Sequence, residues 1–89
     1  MTPVSHTTMV ERIARTLAGR ALSRNADGHE AHAGDKVDLA WREYLEDAQS
    51  ILRTMREPDQ FMALAGDPTV WGRMVEAALA IEGGDKPVG

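Results

Sequence analysis

The sequence predicts an all-α fold: a small helical domain of three to four helices, with two longer antiparallel helices, a short helix and a C-terminal helix. Two observations predict it. Apolar residues recur at helical spacings along most of the chain, which gathers them on one face of a 3.6-residue helix. Glycine, proline and aspartate punctuate the stretches between these stripes, where helices stop and start.

The first helix is expected from about Met9 to Ser23. Thr8-Met9-Val10-Glu11 has the capping-box form, a hydroxyl at the N-cap and a carboxylate three residues on. Met9, Val10, Ile13, Ala14, Leu17, Ala18, Ala21 and Leu22 form its apolar stripe. Gly19 lies inside it at a cost of about 1 kcal/mol relative to Ala. It reads as surface tolerance or as the close approach of another helix.

Residues 25–36 hold two glycines, several acids and no large apolar side chain, and are expected to form a flexible loop. The second helix is expected from about Val37 to Arg56, with Val37, Ala40, Trp41, Tyr44, Leu45, Ala48, Ile51, Leu52 and Met55 on one stripe. Asp35 and Asp38 stand at its start and Arg53 and Arg56 at its end, as the helix dipole favours. Pro58 stops it. A short third helix should follow, with Pro58 at its first position and Gly66 just beyond its end. Asp67 and Pro68 then open a fourth helix that carries Val70, Trp71, Met74, Val75, Ala78 and Leu79 and ends at Gly83-Gly84. The tails, about 1–6 and 85–89, should fray. The long stripes should pair antiparallel, with Phe61, Trp71 and Met74 closing one end of the core.

Composition narrows the function. The 89 residues allow a single domain, and a monomer of this size buries too little surface to be more than marginally stable. A homodimer would help. With no cysteine there is no disulfide framework, thiolate zinc site or cysteine nucleophile. No apolar run is long enough to span a membrane, and no charged-then-apolar signal peptide opens the chain. The net charge of −4 argues against broad coating of nucleic acid. That average conceals an asymmetry. Residues 1–26 carry four arginines against Glu11, a balance of +3, and the remainder carries thirteen acids against six bases, a balance of −7.

Several short series together suggest a family. They are Met9-Val10-Glu11-Arg12-Ile13-Ala14, then Trp41 with Tyr44 and Ala48, then Met55-Arg56-Glu57-Pro58, and finally Val70-Trp71 with Met74-Val75 and Ala77-Ala78-Leu79. This set resembles small uncharacterised all-helical proteins encoded by bacteriophages and prophages. The resemblance implies a cytoplasmic accessory protein, in the host cell if phage-encoded, and supplies no catalytic residue.

Four groups of residues are candidate sites. His29 and His32, flanked by Asp27, Glu30 and Asp35, have ligand chemistry for zinc or nickel. Their His-x-x-His spacing and the neighbouring glycines read first as a solvated polar loop, so no metal or other cofactor is assigned. Arg12, Arg15, Arg20 and Arg24 offer a phosphate-binding alternative. They spread over the polar half of the first helix without interleaved aromatics, and pairing with acids of the second helix is the simpler reading. Phe61–Glu82 has the outline of a helix-turn-helix, but its fourth helix offers Thr69, Arg73, Glu76 and Glu82, a poor set for phosphates. Trp41 and Tyr44 read first as core, yet both residue types also anchor interfaces. With the acidic run Glu43, Glu46 and Asp47 beside them they form the candidate partner-binding face.

No glycine-rich phosphate loop or Gly-x-Ser-x-Gly elbow is present. The sequence therefore points to a non-enzymatic protein that binds a protein partner, with counter-defence inhibition one form of this. The alternatives are nucleotide or nucleic-acid binding through the first helix, and a purely structural homo-oligomer.

Overall fold

The computed structural model describes residues 4–25 and 33–81. Among the described residues five α-helices and one 3₁₀ turn succeed one another: α1 (Met9–Asn25), α2 (Ala33–Ala40), the 3₁₀ turn (Trp41–Tyr44), α3 (Leu45–Met55), α4 (Gln60–Ala65) and α5 (Pro68–Ala80). Among the described residues there is no strand. The all-α class and the two long helical runs are as the apolar spacing predicts.

Thr8 caps α1, its Oγ1 accepting from the Glu11 backbone N–H at 3.2 Å. The Glu11 carboxylate does not complete a reciprocal box but accepts from Arg15 Nε at 2.8 Å. Val10, Ala14 and Ala18, four residues apart, are all fully buried. Two of the three are alanines, so neighbouring backbone can come close to this face of α1 without long side chains in between.

The second helical run departs from the expected single helix in two ways. It begins at Ala33, so residues 33–36 belong to α2 and not to the expected 25–36 loop. Gly34 was a loop signal, but in the first turn of a helix the backbone N–H groups have no intrahelical partner to lose. The run is also interrupted. Ala40 (φ −107°, ψ −15°) and Tyr44 (φ −102°, ψ 10°) bracket a 3₁₀ turn between α2 and α3. In such a turn residues i and i+3 eclipse. Trp41 and Tyr44 are so related, and both face the core: Trp41 is 2% exposed and Tyr44 packs against it half-buried.

The pairing of the long elements is antiparallel. Near the start of α1, Met9 shares a concavity with Leu52 and Met55 at the end of α3. Near its end, Gly19 lies against Val37 of α2, where a β-carbon would sit 3.7 Å from Val37 Cγ2. Gly19 thus marks a helix contact within the chain. Ala48 and Leu52 of α3 and Val75 of α5 complete the buried core. Burial of one such leucine stabilises the fold by roughly 1.5–3 kcal/mol.

α5 is held to α3 by more than apolar contact. The Trp71 indole N–H donates to the Met55 carbonyl at 2.6 Å, satisfying one of the unpaired carbonyls at the end of α3. Arg56 and Glu76 approach to 3.9 Å beside it. As expected, Asp67 caps α5, accepting from the backbone N–H groups of Thr69 at 2.8 Å and Val70 at 3.4 Å, with Pro68 in the first turn. α5 ends at Ala80, short of Gly83-Gly84, because Ile81 turns extended.

Three expectations around α4 are corrected. Its N-cap is Asp59, whose Oδ1 accepts from the Met62 backbone N–H at 2.9 Å, so Pro58 precedes the helix instead of starting it. Gly66 is extended (φ −160°, ψ −172°) and makes no left-handed cap. Phe61 and Met74 do not close the core: they are 73% and 61% exposed, while Trp71 is half-buried. α4 contributes no buried residue at all.

Candidate functional site

The basic face of α1 is divided by its own hydrogen bonds. Arg15 donates through Nε to Glu11 and through Nη1 to Asp38 of α2. These bonds, with Asp38 the larger cause, raise its pKa above the ordinary guanidinium value. Its guanidinium carbon also lies 5.1 Å from the centre of the Trp41 ring, and that of Arg42 lies 4.4 Å from the same centre. Two guanidinium planes near one indole favour the fold through the ring quadrupole. Arg15 is therefore committed to joining α1 to α2 and to the 3₁₀ turn. Arg12, Arg20 and Arg24 are exposed.

The acidic candidate face is likewise split. Glu43, Glu46 and Asp47 are exposed and Tyr44 is half-buried. Trp41 is buried, which corrects its placement on a partner-binding face: an indole 2% exposed has no area to offer a partner. His29 and His32 lie outside the described residues. Among the described residues, no three His, Asp or Glu side chains gather as a metal site, and no helix is long and apolar enough to cross a membrane. The helix-turn-helix outline of α4 and α5 exposes apolar Val70 and Met74 on α5, and Glu76 approaches Arg56.

The surface that stands out is the one assigned to the core. Phe61 (73%) and Leu64 (86%) on α4 and Val70 (48%) and Met74 (61%) on α5 are exposed large apolar side chains. Met62 and Met55 are exposed beside them. Between α4 and α5 runs a groove of about 360 Å3, lined by Pro58, Met62, Ala65, Val70, Trp71 and Met74 among others. Trp71 and Met74 also line the next concavity, about 130 Å3, which extends toward Met9 and Leu52. Trp71 and Met74 thus line both hollows. Phe61 and Leu64, three residues apart, project together from α4 on the face adjoining Ala65 of the groove.

Local sequence builds this surface. α4 reads Gln-Phe-Met-Ala-Leu-Ala, apolar on nearly every side. A helix apolar all round is ordinarily buried. Here two short caps, Asp59 and Asp67, set α4 and α5 on either side of the Gly66 corner, and α4 is left in solvent. From Gln60 to Gly72 the one ionisable residue is Asp67, and its carboxylate is occupied by the cap of α5. A further apolar hollow of about 310 Å3 lies between α1 and α3, with Arg12 at its edge and Ile13, Leu17 and Ile51 within.

The signal for this site was present in the sequence as the unbroken apolar run of α4. The sequence reading placed only Phe61 of this run, as a residue closing the core, because an apolar run does not tell whether a second element covers a short helix. No family model, curated protein or solved structure matches the chain.

Proposed function

We propose that the protein is a non-enzymatic interaction module, and that the α4–α5 face is its contact surface. One observation carries this reading: Phe61, Leu64, Val70 and Met74 are large apolar side chains left exposed on two consecutive helices, and from Gln60 to Gly72 only Asp67 is ionisable. Folded chains seldom leave such patches uncovered, and larger ones mark sites of association. The methionines suit the role, since their flexible thioethers repack against varied shapes. An accessory role of this kind agrees with the resemblance to phage- and prophage-encoded helical proteins. The acidic residues of α3 lie outside the contact and serve solubility and steering.

The test is photo-crosslinking in the cells that carry the gene, with a benzophenone amino acid at position 61 and, separately, at Arg53. Arg53 is exposed on α3 and lies outside the α4–α5 face. The expected result is a discrete adduct from position 61, lost on Leu64→Asp, and none from position 53. Equal labelling from both positions, or none from either, would remove this assignment.

A further inference from the structure

Resting on the contact surface just assigned, we infer that the partner is a second copy of this chain, docked about a twofold axis so that the Phe61–Leu64 ridge of each protomer enters the α4–α5 groove of the other. A twofold interface uses the same patch on both subunits, so the patch must carry both a projection and the hollow that receives it. This face does. The ridge stands on α4, and the groove opens beside it between α4 and α5.

Size agrees. The groove, about 360 Å3 and open to solvent, is large enough to admit apolar side chains. The exposed fractions of Phe61, Met62, Leu64, Val70, Met74 and Met55 amount to roughly 600 Å2 per chain. Doubled, that reaches the lower end of the about 1,200–2,000 Å2 that stable interfaces bury.

Charge agrees as well. Two copies of a chain with net charge −4 repel each other over most of their surface. The Gln60–Gly72 segment is where they can meet with least repulsion, because it carries a single charge per copy, the Asp67 carboxylate that lines the groove and accepts from backbone N–H groups. A strongly basic partner would select the opposite composition, with carboxylates in the contact.

Sedimentation of the purified full chain between 1 and about 200 μM tests the inference. Wild type should reach twice the chain mass within this range, where modest interfaces of this area dissociate. Phe61→Asp should weaken the dimer about thirtyfold, the scale set by loss of a central anchor. Leu39→Asp, at an equally exposed leucine on α2, should leave it unchanged. Circular dichroism checks that each variant folds, and Leu64→Asp replaces Phe61→Asp if the latter does not. The chain has no cysteine, so a spin label at Met62→Cys reports the same contact as one narrow intermolecular distance. A wild type that stays monomeric throughout, or a dimer indifferent to Phe61→Asp and Leu64→Asp, overturns the inference. A monomer whose position 61 crosslinks to a different protein in cells overturns it while leaving the contact surface in place. A monomer with no adduct removes both.

Discussion

At the scale of single residues, stability concentrates in a few buried positions. Leu52 is 2% exposed, between α1 and α5. Leu52→Ala should cost 2–5 kcal/mol, about the range for emptying a buried leucine site, and urea denaturation should show it as a lower midpoint with an unchanged slope. Trp71 packs against the core and also donates a hydrogen bond. Trp71→Phe keeps an aromatic ring but trims the indole and removes the donor to the Met55 carbonyl. Since that carbonyl is near solvent, losing its donor should cost about 0.5–1.5 kcal/mol in the same titration, and the smaller ring adds to this. Gly19 goes the other way. Its missing β-carbon would meet Val37 at an ordinary contact distance, so Gly19→Ala should stabilise by up to about 1 kcal/mol through helix propensity. In thermal melts that is a rise of about 4–8 °C for a domain of this size.

At the scale of elements, what was legible in the sequence was what is decided locally. The stripe of α1 and the Asp67-Pro68 start of α5 depend on neighbours within one or two turns, and both stand where the sequence places them. Asp67→Ala should cost about 1 kcal/mol, because it removes the acceptor for two backbone donors at once. Hydrogen exchange should show that loss first at Thr69 and Val70. The break between α2 and α3 was not legible. A 3₁₀ turn advances about 120° per residue in place of 100°, so four residues rotate the face by roughly 80°. The stripe Val37–Met55 is broad enough to absorb this shift without any gap in its spacing. The placement of α4 was hidden for another reason. Its composition says only that it avoids water, and whether an element of the same chain covers it is a tertiary fact. The candidate site moved with it, from Trp41 and the acids of α3 to Phe61 and Leu64.

At the scale of the whole molecule, the α1–α3 pair with Trp41 and α5 forms the scaffold, and α4 with the outer side of α5 is carried on it. Self-association through that face should strengthen as salt rises from 50 to about 500 mM, because screening relieves the repulsion between two chains of net charge −4, whereas arginine-mediated phosphate binding would weaken steeply. Mild peroxide supplies a second check. Met62 and Met74, 40% and 61% exposed, should oxidise to the polar sulfoxide and weaken self-association several-fold while helical content holds. The division of labour also bears on how the protein can change over generations. Ala14, Ala18 and Ala48 are fully buried, and nearly any replacement there either overfills the core or buries a polar group. From Arg53 to Val70 every residue except Pro58 is exposed, and most replacements leave stability almost unaltered. Mutational tolerance and the surface used for recognition therefore coincide. The face can drift to a new binding preference by single steps, each survivable, while the helices that carry it stay as they are.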